Sequence, residues 1–213
     1  MKNLYLVRHG NTVDNINFRY SGFSDCDLSD VGRQQARQLN AYLKNIDIDR
    51  IYTSTLKRTG QTVDEVSRYL GLEMLGLDDL REMNFGKFDG KTFEEIKSEY
   101  PEDFKIMMTG DVMYTFPDGE NIEMAYERNA RGIDHIIKEC NEVDNVLVCV
   151  HMGTIRNILS HLIAKNPSLH WHFKVENASI TKIEFIDGFP VMSMMGHIPY
   201  DKSLIRPMMK RVD

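Results

Sequence analysis

The sequence predicts a three-layer α/β/α fold built on a doubly wound, mostly parallel sheet. Short apolar runs alternate with segments whose apolar residues recur at helical spacing. The segment Asn145–Val150 contains the run Val-Leu-Val-Cys-Val, which is typical of a strand that is buried on both faces. No repeat, low-complexity tract or linker interrupts the chain of 213 residues, so we expect one domain over residues 1–213.

The first strand and the first long helix are expected near the start of the chain. Residues 3–7 form a short apolar run, which predicts a buried strand, and residues 15–27 form a polar and aromatic loop. Ser29 is a typical N-cap residue and is expected to open a helix. The apolar residues of this helix are Ala36, Leu39, Leu43 and Ile46.

The second strand is expected over residues 50–53, and a helix follows it directly. Ser54 or Thr55 is the expected N-cap of that helix, because a hydroxyl oxygen can accept a hydrogen bond from the first free amides. Its apolar residues are Val63, Val66 and Leu70. A third, short strand is expected near residues 73–75.

The second half of the chain begins with a long helical segment and ends with a hairpin. Residues 84–144 show helical patterns without a clear strand, which predicts an insertion that covers the carboxyl edge of the sheet. The strand at 145–150 comes next, and His151 opens another helix. Residues 179–186 and 191–194 are expected to pair as a hairpin around an Asp-Gly turn.

The composition excludes several classes of protein. A formal charge of -6 and a pI near 5.7 argue against a nucleic-acid binder, which usually presents a basic face. Three scattered cysteines, Cys26, Cys140 and Cys149, indicate neither a disulfide framework nor a zinc ribbon. No window reaches the roughly 20 apolar residues of a membrane helix, so we expect a cytoplasmic protein that does not bind membranes. The basic tail around Lys210 and Arg211 is expected to be solvated.

Two predicted strands end in the same way, with an imidazole at their carboxyl ends. Arg8 and His9 follow the first strand, and His151 follows the strand at 145–150. Parallel strands share one carboxyl edge, where open α/β folds place their ligands, so the two histidines converge if the strands are neighbours. Either histidine alone is equally compatible with a packed core residue.

Arg58 lies one turn into the helix after the second strand, at the same predicted edge. Helix N-termini favour anions, so an arginine there indicates a phosphate-like ligand, although a solvated arginine is the alternative. The spacing around Glu82 assigns it no role by itself. His170 and His172 match no known helical metal-ligand spacing, so no metal site is expected.

Together these segments resemble the histidine phosphatase superfamily, also called the phosphoglycerate mutase-like family, over most of the chain. Several blocks in the same order make this resemblance specific. The blocks are Leu6 to Thr12, Asn15, Gly22 with Asp25, Leu28, Gly32 with Gln35 and Ala36, Tyr52 to Thr62, Leu80 to Glu82 with Phe85, Gly86 and Gly90, Pro117 to Glu120, and Val150 to Arg156.

The resemblance implies a role for each candidate residue. His9 would be the nucleophile that forms a phosphohistidine, and Arg8 with Arg58 would bind the non-bridging oxygens. His151, as an imidazolium, would stabilise the transition state. Glu82 would protonate the leaving alkoxide and then activate water. The implied substrate-binding residues are Asn15, Ser21, Gly22 and Met152.

The expected function is hydrolysis of small-metabolite phosphate esters, without metal or cofactor. The expected partner is therefore a small phosphate ester or free phosphate, and the oligomeric state is not predicted. A bisphosphoglycerate-primed phosphoglycerate mutase would use the same five catalytic residues, although the chain is short for that branch. A non-catalytic protein that binds phosphorylated ligands is the third alternative.

Apolar side chains of the insertion and the first loop are candidates for the entrance of the site. They are Ile106, Met107, Met108, Met113, Tyr114, Phe116, Phe18, Tyr20 and Phe23. Ordinary packing is the alternative interpretation. If some of them line the entrance, adaptable methionine and aromatic surfaces would suit organic esters of several shapes.

Overall fold

The computed structural model describes residues 1–205. The strands are β1 (Asn3–Arg8), β2 (Arg50–Ser54), β3 (Met74–Leu77), β4 (Asn145–Val150), β5 (Ile180–Ile186) and β6 (Phe189–His197). The α-helices are α1 (Val13–Ile16), α2 (Asp30–Leu43), α3 (Lys57–Leu70), α4 (Phe93–Glu99), α5 (Pro101–Met107), α6 (Ile122–Glu139) and α7 (Met152–Ala164). Short 3₁₀ turns cover Asp78–Leu80, Gly86–Phe88, Pro167–His172 and Lys202–Leu204. The tail around Lys210 and Arg211 lies outside the described residues.

The strands form a single six-stranded sheet in the order β3-β2-β4-β1-β5-β6. The first four strands in this order are parallel, while β5 runs antiparallel to β1 and β6 antiparallel to β5. The predicted three-layer, mostly parallel α/β/α fold is therefore confirmed. Because β1 and β4 are neighbours, the chain segments that follow them leave the sheet side by side.

Alternate side chains of β1 enter the two helical layers. Leu4 and Leu6 belong to a core cluster on the α6 and α7 side, whereas Tyr5 and Val7 pack on the α2 and α3 side. Successive residues of a strand point to opposite faces, so a strand covered on both sides must be apolar at every position. This explains why β1 reads as a continuous apolar run.

The predicted N-cap of α2 is confirmed, and that of α3 is wrong. The Ser29 hydroxyl accepts a hydrogen bond from the Gly32 amide at 3.0 Å. In contrast, Leu56 precedes α3 without a side-chain cap, and Ser54 ends β2. The Ser54 hydroxyl instead lies 2.7 Å from Nε2 of His151, a residue distant in sequence, and it does not cap the first amides of α3.

Three further boundaries differ from the predictions. The loop after β1 contains the short helix α1, which Thr12 caps by accepting from the Asn15 amide while the Asn15 side chain accepts from the Thr12 amide. The third strand, β3, ends at Leu77, two residues later than expected. In the hairpin, β6 begins at Phe189, because a two-residue turn joins it to β5.

The predicted closing hairpin is confirmed. Asp187 and Gly188 form its turn with φ angles of 51° and 79°. Two consecutive residues with positive φ match the twist of the flanking strands, and Asp-Gly is one of the few dipeptides that adopts this turn easily.

The segment 84–144 divides into two parts. Phe88, Ile96 and Phe116 form a small apolar cluster with α4 and α5 beside the main layers. Ile133 and Ile136 of α6 belong instead to the main core cluster on the sheet. The part of this segment that lies outside the sheet layers therefore ends before α6. None of the helices within residues 1–205 combines the length and apolar content needed to cross a bilayer.

A buried asparagine connects α2 to α3. The Asn40 side chain is 2% exposed and donates to the carbonyls of Ala36 and Thr62 at 2.6 and 2.8 Å. Its oxygen accepts from the Val66 amide at 2.8 Å. Three hydrogen bonds made by one buried amide hold the helix that carries Arg58 in a defined position.

We expect Asn40→Ala to lower the free energy of unfolding by about 2–3 kcal/mol, because it removes three hydrogen bonds made by one buried amide. Urea denaturation measures the change. Asn45→Ala is the matched control, since Asn45 also bonds main-chain carbonyls but is exposed, and its loss should cost less than about 0.5 kcal/mol. Equal stabilities of the two variants would contradict this role for Asn40.

Candidate active site

His9 and His151 meet at the carboxyl edge of the sheet. The pairing of β1 with β4 places Arg8 opposite Val150, so the next residue of each strand is a histidine. Their ring centroids lie 5.2 Å apart with the rings tilted by 60°. The expected convergence of the two histidines is confirmed.

His9 is held as a neutral imidazole with one defined tautomer. Its Nδ1 lies 2.8 Å from the Gly10 carbonyl oxygen, which can only accept, so Nδ1 carries the proton. Nε2 is therefore the nitrogen with the free electron pair. Burial lowers the pKa of His9 well below its ordinary value, and the positive charges of Arg58 and Arg8 lower it further.

His151 is fully buried behind His9 and is also neutral in this arrangement. Its Nδ1 accepts a hydrogen bond from Nε of Arg58 at 3.2 Å, and its Nε2 lies 2.7 Å from the Ser54 hydroxyl. Arginine only donates, so Nδ1 has no proton. Burial lowers the pKa of His151 well below its ordinary value, with Arg58 and His9 as further causes. The imidazolium implied by the resemblance thus differs from the state that these protein contacts favour.

Arg58 is completely buried, and its guanidinium is bound by main-chain carbonyls. Nη1 donates to Ser24 at 2.7 Å, and Nη2 donates to Gly22 at 2.8 Å and to Ser21 at 3.3 Å. Ser21 and Gly22, which the resemblance assigns to substrate binding, therefore hold Arg58 through their carbonyl groups. Burying an arginine in this way is tolerated because its donors are paired.

Arg8 has a buried donor that no described protein group accepts. Its Nη1 donates to the Val175 carbonyl at 2.7 Å, whereas its Nε is buried and has no hydrogen-bond partner within residues 1–205. Burial lowers the pKa of Arg8 to about 10, so the guanidinium stays charged at neutral pH. An unsatisfied charged donor of this kind is suited to an anion.

Glu82 lies against the N-terminus of α7. Its Oε2 accepts from the Gly153 amide at 3.1 Å, and its Oε1 accepts from the Met83 amide at 3.0 Å. A Cβ at position 153 would overlap the Glu82 carboxyl, so this approach requires glycine there. The residue Glu82 is 8% exposed.

The main chain around Glu82 is held by residues that sequence reasoning missed. Arg128 of α6 donates to the carbonyls of Arg81 and Glu82, each at 3.0 Å. Arg128 also forms a paired salt bridge with Glu120 at 2.8 and 2.9 Å, and both side chains are largely buried. Glu120 belongs to the segment Pro117 to Glu120 of the resemblance, but nothing in the sequence indicates that it pairs with Arg128.

Asn177 is a second residue that sequence reasoning missed. Its Nδ2 donates to the His9 carbonyl at 3.0 Å and to Oδ1 of Asn15 at 3.2 Å. The Thr12 amide also donates to Oδ1 of Asn15 at 3.1 Å, so the Asn15 amide nitrogen is left to face the site. Tyr200 fixes Asn177 by donating to its carbonyl at 2.6 Å.

A cavity of about 490 Å³ opens beside His9. Its wall includes six of the residues predicted from the sequence: Arg8, His9, Asn15, Ser21, Glu82 and Met152. Arg19, Phe85, Phe93, Glu176 and Asn177 also line it. Within residues 1–205, no group of three or more histidine, cysteine, aspartate or glutamate side chains is arranged to hold a metal ion.

A second cavity of about 270 Å³ adjoins the first. It shares Tyr20, Glu82, Phe85 and Met152 with the His9 cavity. Of the apolar residues that were candidates for the entrance, it contains Tyr20, Met107, Met108, Tyr114 and Phe116. Phe18 lines the His9 cavity, Phe23 contacts the guanidinium groups of Arg81 and Arg128, and Ile106 and Met113 are exposed.

Comparisons with known proteins agree with this geometry. Residues 4–197 match the profile of the histidine phosphatase superfamily (branch 1). The chain is 33% identical over 183 residues to phosphoserine phosphatase 1 of Hydrogenobacter thermophilus, and the aligned region covers 86% of each chain. It is 27% identical over 192 residues to the adenosylcobalamin/alpha-ribazole phosphatase of Salmonella typhimurium, covering 90% of this chain and 95% of that protein.

A solved structure shares the fold. The alpha-ribazole phosphatase of Shigella flexneri superposes with a TM-score of 0.85 at 26% identity, over 91% of this chain and 96% of that one. The matched range of the family profile includes both His9 and His151. The chain belongs to the histidine phosphatase superfamily, branch 1.

Proposed function

We propose that this chain is a phosphomonoesterase that hydrolyses small-metabolite phosphate esters through a phosphohistidine on His9, without a metal ion. The observation that best supports the proposal is the protonation state of His9. A buried, neutral imidazole whose Nδ1 is bound by the Gly10 carbonyl has its nucleophilic electron pair on Nε2 at a cavity wall. Arg8 lines the same cavity, and the described protein groups pair its charged guanidinium only in part, which supports a role in binding the phosphoryl oxygens.

The proposed reaction has two steps. Nε2 of His9 attacks phosphorus, the ester P–O bond breaks, and the Glu82 carboxyl transfers a proton to the leaving alkoxide. The ionised Glu82 then takes a proton from water, which attacks the phosphohistidine and breaks the P–N bond. The position of Glu82, on the wall shared by the two cavities, supports this role because the scissile oxygen must lie between phosphate and organic group.

Positive charge and oriented amides would bind the phosphoryl group. Arg8 would donate to its oxygens, together with the amide nitrogen of Asn15 and the main chain of Met152 at the start of α7. A bound dianion would favour the imidazolium form of His151. Arg58 would act as a positive charge, and it would orient the neutral form of His151 through Nε. In the imidazolium form Nδ1 carries a proton, so this hydrogen bond would be broken.

The relatives reported above carry phosphatase names, which does not favour the mutase alternative. The decisive experiment is a panel of p-nitrophenyl, sugar, amino-acid and nucleoside phosphates in the presence of EDTA. Release of phosphate in EDTA at the rate seen with magnesium is expected. Failure to hydrolyse any ester would contradict the proposal, and bisphosphoglycerate-dependent interconversion of 2- and 3-phosphoglycerate would favour the mutase instead.

We expect His9→Ala to lower kcat at least about 10³-fold, because the covalent route is lost. Rapid-quench trapping of radiolabelled protein should show phosphoenzyme in the wild type and none in the variant. His135→Ala, which replaces an exposed histidine of α6, is the control and should retain full activity. Normal turnover by His9→Ala would remove the nucleophile assignment.

We expect the loss of activity caused by Glu82→Gln to depend strongly on the leaving group of the ester. For alkyl phosphates kcat/KM should fall about 10²–10⁴-fold, because the alkoxide needs a proton to leave. The rate at which p-nitrophenyl phosphate phosphorylates His9 should fall less, because p-nitrophenolate leaves without a proton. Burst kinetics separates this step from hydrolysis, and Glu94→Gln on the exposed face of α4 is the control. An equal loss of the phosphorylation rate with both substrates would exclude Glu82 as the acid.

A further inference from the structure

The proposed reaction places the organic part of the ester in the second cavity, of about 270 Å³, and we call it the leaving-group cavity. It contains one buried histidine that the proposed reaction does not use. His170 lies in the 3₁₀ turn Pro167–His172, is 3% exposed and lines the cavity. Most of the other lining side chains are methionines and aromatic residues, among them Met83, Phe85 and Tyr114. A polar ring atom in such an apolar wall has few alternatives to hydrogen bonding with whatever occupies the cavity.

A chain of buried amides fixes which nitrogen of His170 carries the proton. Asn129 of α6 donates through Nδ2 to the Asp79 carbonyl at 2.8 Å, and a carbonyl can only accept. Oδ1 of Asn129 therefore faces Asn157, which donates to it through Nδ2 at 2.9 Å. This leaves Oδ1 of Asn157 to face Nδ1 of His170 at 2.7 Å, so Nδ1 is the protonated nitrogen.

Nε2 of His170 therefore has a free electron pair. No group within residues 1–205 hydrogen-bonds this nitrogen. Burial lowers the pKa of His170 to about 4, and the positive charge of Arg156 adds to the effect, so the ring is neutral near pH 7. The amide chain and the burial together present an acceptor, and not a donor, on the His170 ring.

We propose that Nε2 of His170 accepts a hydrogen bond from the leaving group and selects esters whose organic part is aromatic or apolar and has a hydroxyl or N–H donor. This inference rests on the proposed phosphatase function, because it requires the organic group to enter the cavity beyond Glu82. An ester that fills the cavity and has no donor would displace water from this acceptor and leave it unpaired. Sites that bind a substrate hydroxyl discriminate strongly against analogues without it.

The test compares 3- and 4-hydroxyphenyl phosphate with 3- and 4-methylphenyl phosphate. Each pair has similar size and leaving-group acidity and differs in the donor. In one of the two pairs, the 3- or the 4-substituted esters, the wild-type kcat/KM should be about tenfold higher for the hydroxyl ester than for the methyl ester. In His170→Phe this ratio should fall to about one, while the methylphenyl esters keep kcat/KM within about threefold of wild type.

His172→Phe is the matched control, because His172 belongs to the same 3₁₀ turn but is exposed, and it should keep the wild-type ratio. Equal turnover of hydroxyl and methyl esters by the wild type, or an unchanged ratio in His170→Phe, would overturn the inference and leave the phosphatase proposal standing. If the protein hydrolyses other esters of the panel but none of these four, this inference is overturned and the phosphatase proposal stands. If it hydrolyses no phosphate ester at all, the proposed function is overturned and this inference with it.

A measurement on the wild-type protein covers the case in which His170→Phe does not fold. Long-range ¹H–¹⁵N NMR should show an unprotonated Nε2 and a protonated Nδ1 for His170. The non-hydrolysable 3- or 4-hydroxyphenyl phosphonate should shift the Nε2 resonance upfield, as hydrogen-bonded acceptors do, whereas the methylphenyl phosphonates should not. A proton on Nε2, or identical shifts with both kinds of ligand, would contradict the proposed role.

Discussion

The parallel pairing of β1 with β4 is the constraint on which the rest of the site depends. Its register places Arg8 beside Val150, so the residues that follow are two adjacent histidines. A slip of one residue would turn the apolar side chains of β1 into the wrong layers, because the side-chain period of a strand is two. The buried cores on both faces of the sheet therefore specify the distance between His9 and His151.

Arg58, which is fully buried, and Arg8, which is partly buried, make this edge positive in a protein whose formal charge is -6. Burying a guanidinium is costly unless its donors are paired. The carbonyls of residues 21–24 pair the donors of Arg58, and this loop is held in turn by the Asp89 carboxylate, which accepts from the amides of Gly22 and Ser24. Arg8 is paired less completely. The positive potential of the site thus depends on main-chain groups that hold the arginine side chains. The overall charge of the protein gives no indication of it.

The fold and the meeting of the histidines could be predicted because both follow from local patterns and from the geometry of parallel strands. What could not be predicted are hydrogen bonds between residues far apart in sequence. Ser54 looks like an N-cap, but His151 is bound by its hydroxyl. Arg128 looks like a charge on a solvated helix face, and Asn157 looks like an ordinary helix residue, until α6 and α7 pack together. Such contacts leave no periodic signal in the sequence.

Glu82 is held from α6 and α7, which belong to the sheet layers, whereas α5 and the segment after it supply Met107, Tyr114 and Phe116 to the leaving-group cavity. In the proposed mechanism, the group that transfers the proton and the walls that would contact the alcohol are therefore supported by different parts of the chain. Substitutions in these walls can reshape the cavity while the carboxyl keeps its anchors. One reaction centre can in this way be adapted to new alcohols by changes in a peripheral segment, with the catalytic geometry inherited intact.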